Sequence, residues 1–438
     1  MFYRKNKNER LPATSNQQPA TSNQQPATSF RLTLLALALC VFSSNIAYAK
    51  KPVKKLKTKS PAALSSNKLN QKAPVLSNTL TQAPINSYQN LGDPNKNHGI
   101  SAIAYSPDGA TLASVDNDGL LKLWNTATGS VQATTESETY GGGGLPCVVK
   151  NLNDACDQSK KYENLWPIYA VAFSADGKTI VTTSGGANGV KTWDVKNGDA
   201  TTLTAIHTFS NQGAAVQAVA FSPNSKVIAT GTNTENAGYY RDPYLNNNIM
   251  LRDAITGGDL LTIQTGLGGV KSLAFSPDGA SLVSATDDQN ITLWDANTGN
   301  KIRNFDIHNY AKDQEFASAV AFSPDGLLLA TGGFNKEPYG GVLKLWHVSD
   351  ATIVKTIQEG QQINAVAFSH DGKKLATANF DGKVRLYDVA SGKKLAEISA
   401  NKRDASTVAF SPDDKTLASS NEGSRLEEEV FIKFWKVQ

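Results

Sequence analysis

The sequence of 438 residues contains few of the patterns from which catalytic and metal sites are built. Its five histidines lie far apart and show no metal-ligand spacing, so we interpret each as a turn or surface residue. No serine has the sequence context of a hydrolase nucleophile. The bare glycine runs at 141–144 and 340–341 are weak signals for phosphate binding. We therefore predict no catalytic residue, no cofactor and no metal.

Long hydrophobic runs are also missing. The longest apolar stretch, 32–42, has eleven residues, fewer than the roughly 20 that a transmembrane helix needs. It follows a polar, basic segment that repeats the heptad PATSNQQ, and it precedes the small residues Ala47 and Ala49. This order resembles a secretory signal peptide with an unusually long front end. We predict that 1–49 is removed and that the mature chain, without a transmembrane span, is exported to the periplasm or the extracellular space. Retention of 32–42 as an anchor is the alternative.

Acidic residues are almost absent from the first 90 positions, which hold 13 Lys and Arg but only one acid, Glu9. The remaining positions hold 30 basic and 38 acidic residues, which argues against nucleic acid as a partner. Residues 50–83 contain eight lysines and no acid, and we predict a disordered linker there. These lysines either draw the chain to an acidic envelope surface or only keep the spacer solvated.

Only three cysteines are present, and Cys40 lies inside the apolar stretch of the predicted export signal. Cys147 and Cys156 are nine residues apart in one predicted loop. In an oxidising compartment this pair favours a local disulfide. Two free thiols are the alternative.

The most prominent feature of the sequence is a repeat. The triplet Ala-(Phe/Tyr)-Ser occurs seven times, with its aromatic residue at Tyr105, Phe173, Phe221, Phe275, Phe322, Phe368 and Phe410. Nine residues after each aromatic comes a Ser or Thr, and a second aromatic, usually Trp, ends a later apolar run. Arg252 takes that place in the third copy. Short runs with period-two alternation, separated by turn signals such as Ser-Pro-Asp-Gly, predict β-strands.

Each copy therefore reads as a meander of four antiparallel strands. Neighbours on a strand point to opposite faces, so Phe275 fills the gap toward one adjacent copy while Ala274 leaves room for a side chain from the other. One such sheet cannot bury both its faces alone, so the seven copies must pack against one another.

At this point residues 98–438 resemble the WD (tryptophan–aspartate) repeat family, WD40, of β-propellers. The resemblance rests on Leu-Trp-Asp at 293–295, Thr-Trp-Asp at 192–194 and Leu-Tyr-Asp at 386–388, together with the Ser-Pro-Asp-Gly turns. It implies an all-β fold, a seven-bladed β-propeller of four-stranded antiparallel blades, after a disordered N-terminal segment. The family's Asp six residues before the Trp is found only as Asp118, Asp288 and Asp381, which implies that its buried Asp–His network is absent or partial.

The ends of the chain suggest how the ring closes. The third strand of the last copy ends close to Gln438, so no residues remain for a fourth. Residues 84–91 precede the first copy, where an outermost strand would lie. We predict that this segment completes the last blade, and that the propeller domain covers 84–438.

Loop lengths differ between the two ends of the strands. The first and third turns of each copy are short, whereas the connections between second and third strands and between copies vary. Alternate connections of a meander lie at the same end, so all the long loops share one face. Long loops on a rigid scaffold commonly carry binding residues.

We predict that this face binds a protein or peptide through side chains of the types enriched at hot spots. The candidate residues are Tyr140, Trp166, Tyr239, Tyr240, Arg241, Tyr244, Phe334, Tyr339 and Arg425. For each, the alternative is that it packs only against its own loop.

Two functional hypotheses, from different classes of protein, fit these features of the sequence. The first is a non-catalytic interaction scaffold in the cell envelope. The second is a propeller enzyme, such as a lactonase-like hydrolase, acting at the channel mouth. Such an enzyme needs carboxylates or histidines that converge on the axis, and the sequence shows no such set. We therefore favour the scaffold.

Overall fold

The computed structural model describes residues 86–89, 99–135, 167–185, 189–195, 203, 205–209, 214–233, 247–266, 268–306, 315–336, 339–421 and 431–438. The predicted signal segment 1–49 and linker 50–83 lie outside these ranges. The described chain forms seven four-stranded antiparallel sheets, which we call blades 1 to 7.

The first strand in the chain, β1 (Asn86–Gln89), belongs to the last blade. Blade 1 contains β2 (Ile100–Tyr105), β3 (Thr111–Asp116), β4 (Leu121–Asn125) and β5 (Val131–Thr134). Blade 2 contains β6 (Ile168–Phe173), β7 (Thr179–Ser184), β8 (Val190–Asp194) and β9 (Ala205–Phe209). Blade 3 contains β10 (Ala215–Phe221), β11 (Val227–Asn233), β12 (Asn247–Asp253) and β13 (Asp259–Gly266). Blade 4 contains β14 (Val270–Phe275), β15 (Ser281–Thr286), β16 (Ile291–Asp295) and β17 (Lys301–Phe305).

Blade 5 contains β18 (Glu315–Phe322), β19 (Leu328–Lys336), β20 (Tyr339–His347) and β21 (Ile353–Glu359). Blade 6 contains β22 (Ile363–Phe368), β23 (Lys374–Asn379), β24 (Lys383–Asp388) and β25 (Lys394–Ser399). Blade 7 contains β26 (Thr407–Phe410), β27 (Thr416–Ser420), β28 (Phe431–Lys436) and β1.

The first strands of the blades form a closed ring. Each first strand contacts the first strands of both neighbouring blades, and β2 of blade 1 contacts β26 of blade 7. In blade 7, β1 pairs antiparallel with β28, from Asn86 opposite Phe434 to Gln89 opposite Phe431. The predicted fold class, an all-β seven-bladed propeller of four-stranded antiparallel blades, is therefore confirmed.

The hydrophobic core consists of seven clusters, one at each junction between blades. At the junction of blades 3 and 4, Phe275 and Trp294 pack against Ala220. At the junction of blades 7 and 1, Tyr105 and Trp124 pack against Ala409 in the same way. Large side chains of one blade thus fill the space left by alanines of the preceding blade, as the alternation along each first strand predicted.

The Trp that ends the third strand of a copy is hydrogen-bonded to the Ser or Thr that follows the first aromatic by nine residues. The indole Nε1 of Trp294 donates to Ser284 Oγ over 2.9 Å, and Trp124 donates to Ser114 over 2.8 Å. The same bond recurs in blades 2, 5 and 7. Each Trp is buried, so the hydroxyl satisfies an N–H that would otherwise be costly to bury. In blade 3, Arg252 Nη1 donates to Thr230 instead, over 2.9 Å.

The Ser-Pro-Asp-Gly turns of successive blades touch one another. Five blades carry Pro at the second corner, and the next blade then has Gly at the fourth corner of its own turn. A Cβ atom at Gly279 would lie 3.3 Å from Pro223 Cδ, and one at Gly326 would lie 3.4 Å from Pro277 Cδ. These glycines have φ near +74°, a region that other residues rarely adopt.

The two blades without this proline follow a complementary rule. Ala175 and His370 replace the proline, so a backbone N–H is present at the corner. The next blade then carries a side chain that accepts this N–H: Ala175 donates to Ser225 Oγ over 2.8 Å, and His370 donates to Asp414 Oδ1 over 2.7 Å. Ser225 and Asp414 keep the positive φ of the glycines they replace, at 61° and 59°.

This rule predicts coupling between His370 and Asp414. We expect His370→Pro and Asp414→Gly each to lower the free energy of unfolding by about 1–2 kcal/mol. The first removes the N–H that Asp414 Oδ1 accepts, and the second removes the acceptor of the His370 and Asp371 N–H groups. The double variant recreates the Pro–Gly pair and should cost clearly less than the sum of the two. Urea denaturation of the four proteins measures this double-mutant cycle. Additive losses would contradict the rule. His370→Ala is the control that measures how much the imidazole ring contributes to stability through its 2.9 Å contact with Asp414.

Candidate binding face

We call the ends of the blades that carry the connections between second and third strands, and between blades, the long-loop face. Most of its variable connections, including 136–166, 234–246, 307–314 and 422–430, lie outside the described residues. So do seven of the predicted binding residues and both cysteines of the predicted disulfide: Tyr140, Trp166, Tyr239, Tyr240, Arg241, Tyr244, Arg425, Cys147 and Cys156. The structure does describe Phe334 and Tyr339.

Phe334 and Tyr339 belong to one long hairpin of blade 5. Strands β19 and β20 have nine residues each, whereas β15 and β16 of blade 4 have six and five. The extra cross-strand pairs lie on the long-loop face and include Phe316 opposite Phe334 and Lys336 opposite Tyr339. The hairpin therefore places the two predicted residues within one short stretch of sheet.

The hairpin carries an aromatic surface in which Phe316 and Phe334 are half-buried and Tyr339 is exposed. The rings of Phe316 and Phe334 stack with centroids 4.8 Å apart and planes 10° apart. Lys336 Nζ lies 5.1 Å from the Phe316 ring centroid, within the range of a cation–π contact. Tyr339 is 62% exposed. Sequence reasoning missed Phe316 and Lys336, although the register of the adjoining strands would have placed Phe316 beside Phe334.

The opposite side of the hairpin is closed by a buried ion pair. Lys344 Nζ lies 2.5 Å from Glu315 Oε2 and 5.5 Å from the Trp346 ring centroid. Both charged side chains are largely buried, so they hold β18 and β20 together at the base of the extension. The aromatic side of the hairpin thus rests on a rigid support.

The inner rim of the long-loop face carries a polar cluster at blades 3 and 4. Asn233 Nδ2 donates to Gln217 Oε1 over 3.0 Å, and Lys271 Nζ donates to the same oxygen over 3.2 Å. Lys271 also lies 3.6 Å from the carboxylate of Asp287, which accepts the Gly269 N–H. These groups satisfy one another and give this part of the face a fixed shape.

A second charged cluster lies between the outer strands of blades 5 and 6. Arg385 contacts three carboxylates: Glu359 over 3.1 Å, Asp381 over 2.6 Å and Glu397 over 3.0 Å. Glu359, at the end of β21, also accepts hydrogen bonds from Thr377 and Asn379 of blade 6. Only 1% of the Glu359 side chain is exposed, and this burial raises the pKa of its carboxyl.

This cluster joins two blades rather than forming a reactive group. Its carboxylates are held by Arg385 and, at Glu397, by Lys383 and Lys394, so cations and anions balance. Asp381 is one of the three acids that lie six residues before the aromatic residue of the third strand. Here its carboxylate accepts a hydrogen bond from Arg385. Sequence reasoning missed this cluster because its members come from two blades.

The pKa of Glu397 predicts how stability depends on pH. Hydrogen bonds from Lys383 and Lys394, with Arg385 beside them, lower the pKa of Glu397 to about 2, below its ordinary value of 4.5. The resulting stabilisation is complete above pH 4.5 and is lost as the pH falls toward 2. Because water screens this partly open carboxylate, we expect Glu397→Gln to lower the free energy of unfolding at pH 7 by only about 1 kcal/mol.

Urea denaturation of wild type and Glu397→Gln between pH 7 and pH 3 measures this effect. The difference between the two proteins should shrink as the medium becomes more acidic, and at pH 7 it should shrink when salt is added. A difference that is the same at pH 7 and pH 3 would show that the charge of Glu397 is not what stabilises the junction.

Among the described residues, no group of three or more His, Cys, Asp or Glu side chains is arranged to hold a metal ion. Within the same residues, no helix has the length and hydrophobicity needed to cross a membrane.

Comparison with protein families finds WD40 repeats in several parts of the chain. The model of the WD domain, G-beta repeat, matches residues 90–125, 203–235, 258–295 and 299–347. The model of the anaphase-promoting complex subunit 4 WD40 domain matches residues 341–413. The chain belongs to the WD40-repeat β-propeller family. WD40 proteins are typically non-catalytic scaffolds that bind other proteins.

Several relatives of this WD40 propeller are eukaryotic proteins. Periodic tryptophan protein 2 of Arabidopsis thaliana is 28% identical over 222 residues, which cover 50% of this chain and 22% of that protein. The WD repeat-containing protein slp1 of Schizosaccharomyces pombe is 29% identical over 191 residues, which cover 43% of this chain and 34% of that protein. The match therefore spans only a minor part of the length of these relatives.

A solved structure shows the same fold. A chain in the crystal structure of the mitotic checkpoint complex superposes on the WD40 propeller with a TM-score of 0.60 and 21% identity. The superposition covers 89% of this chain and 99% of that chain. At this identity the likeness establishes the shared fold alone.

Proposed function

We propose that this WD40 propeller is a non-catalytic scaffold that binds a protein or peptide partner through its long-loop face. The blade 5 hairpin carries the proposal. It extends beyond the strands of blade 4 and holds the stacked pair of Phe316 and Phe334 beside the exposed ring of Tyr339. Aromatic side chains on a rigid support bury much area on binding and lose little conformational freedom.

We also propose that the partner is met in the cell envelope, in the periplasm or outside the cell. Residues 32–49, an apolar core followed by small residues, support export of the chain. In an oxidising compartment Cys147 and Cys156 form a local disulfide.

Capture from an envelope fraction tests the binding face. The purified full-length propeller is immobilised beside a variant with Tyr239→Ala, Tyr240→Ala, Tyr244→Ala and Tyr339→Ala. A matched control carries Ile255→Ala and Leu327→Ala, two exposed apolar residues in the short turns at the opposite ends of the strands. We expect the control to capture the same partner as wild type and the tyrosine variant to lose it. Equal capture by all three proteins would refute the assignment of the face.

Two measurements on the protein purified from its own cells test the compartment. Its intact mass should correspond to a chain that begins at Lys50, and retention of 1–49 would refute cleavage. Alkylation without reductant in denaturant should leave Cys147 and Cys156 unlabelled. Labelling of both would refute the disulfide.

A further inference from the structure

The blade 5 hairpin and the top of blade 6 form a shelf with an aromatic wall. A Cβ atom at Gly332 would lie 2.7 Å from Ile363 and Val366, and one at Gly341 would lie 2.0 Å from Gln361 O, so these glycines are on the side that faces blade 6. Phe334 follows Gly332 by two residues, and Tyr339 precedes Gly341 by two. Alternate residues of a strand share a face, so both rings stand on the side toward blade 6.

The floor of this shelf is the turn between β23 and β24. Phe380 lies in that turn and is 43% exposed. The backbone N–H of Phe380 donates to Gln362 O over 2.9 Å. Phe380 therefore lies close to Ile363, whose side chain packs against Gly332. The strands of blade 6 end at this level, whereas β19 and β20 continue beyond it. On this side of the hairpin, Gln361 packs against Gly341 and Phe334 is half-buried, whereas Tyr339, farther along the hairpin, stays exposed.

The charges of the described residues around the shelf are unequal. Lys336 lies over the stacked rings, and Lys402 is exposed in the connection between β25 and β26. That connection adjoins the floor, since Asn401 donates to Gly382 O over 2.9 Å. Of the acids on this side, Asp381 and Glu359 are held by Arg385, and Asp404 lies next to Arg403 in the same connection as Lys402. The shelf thus offers aromatic surface beside an excess of cations.

We infer that the shelf, which we define as Phe316, Phe334, Lys336, Tyr339, Phe380 and Lys402, binds an acidic peptide segment that carries an aromatic or large aliphatic side chain. The apolar side chain packs between Tyr339 and Phe380, and flanking Glu or Asp residues face Lys336 and Lys402. This inference rests on the proposed function and names the chemical class of its partner.

Selection of random dodecapeptides displayed on phage against the purified full-length protein tests the inference. We expect enriched peptides to share one aromatic or aliphatic residue flanked by acids. An enriched peptide should bind about tenfold more weakly to Tyr339→Ala with Lys336→Glu, a loss of about 1.4 kcal/mol. Changing its Glu and Asp residues to Gln and Asn should weaken it by a similar factor, and its affinity should fall as salt is added. Ile255→Ala with Leu327→Ala is the control and should bind as wild type does.

Several outcomes would overturn the inference: no enrichment, a neutral or basic consensus, or binding that the shelf variant leaves unchanged. If the full-length chain self-associates and Tyr339→Ala abolishes this self-association, the shelf binds a second copy of the chain instead. If envelope capture depends on the long-loop face while no acidic peptide is enriched, only the inferred partner class fails. If capture is insensitive to that face as well, the proposed function fails with it.

Discussion

Replacement of Arg385 by alanine is expected to lower the free energy of unfolding by about 3–5 kcal/mol, because it removes the cation that is paired with the buried carboxylate of Glu359. Only 1% of the Glu359 side chain and 6% of the Arg385 side chain are exposed, so water cannot solvate the carboxylate of Glu359 when Arg385 is removed. Asp381 and Glu397 lose the same partner. Urea denaturation at pH 7 measures the loss.

Two variants make this expectation specific. Adding Glu359→Gln to Arg385→Ala should recover part of the stability, since the buried charge is then gone. Lys394→Ala, which removes a half-exposed cation of the same cluster, should cost less than about 1 kcal/mol. The loss in Arg385→Ala should also be smaller at pH 5 than at pH 7, because burial raises the pKa of Glu359 and its protonated form needs no partner. A loss below 1 kcal/mol would show that the junction of blades 5 and 6 does not depend on this pair.

Removal of residues 1–89 is expected to lower the melting temperature by roughly 10 °C, because it deletes β1 from blade 7. Four residue pairs join β1 to β28, and each backbone hydrogen bond lost costs about 1 kcal/mol. The deletion also leaves the outer edge of β28 unpaired, which favours aggregation. Thermal unfolding followed by circular dichroism measures the change.

Removal of residues 1–83 is the matched control, since it deletes the predicted signal and linker but keeps β1. This shorter deletion should leave the melting temperature close to that of the full chain. If removal of 1–89 does the same, the pairing of β1 with β28 does not hold the ring closed.

The repeats could be predicted from the sequence because their signals are local. Strand alternation places Phe275 and Ala274 on opposite faces, and glycine with positive φ marks the turns. Both can be seen within one copy, and seven copies in register must pack against one another, radially or in line, to bury both faces of every sheet. Loop length and residue type predicted Phe334 and Tyr339 as binding residues. The structure places both on one hairpin, and their role in binding stays a prediction.

The contacts between blades could not be predicted, because hydrogen-bonded partners lie up to 54 positions apart in the examples described and depend on how neighbouring sheets are oriented. Ala175 and Ser225 are 50 residues apart, and neither residue shows by itself that one donates to the other. Arg385 draws its carboxylates from the end of β21, the turn before β24 and strand β25. The sequence by itself determined the strands, the number of blades and the side that carries long loops, because these follow from short-range periodicity. Only the tertiary structure decided which buried polar groups meet, because burial makes each of them depend on a partner on another strand, in the same blade or in the next one.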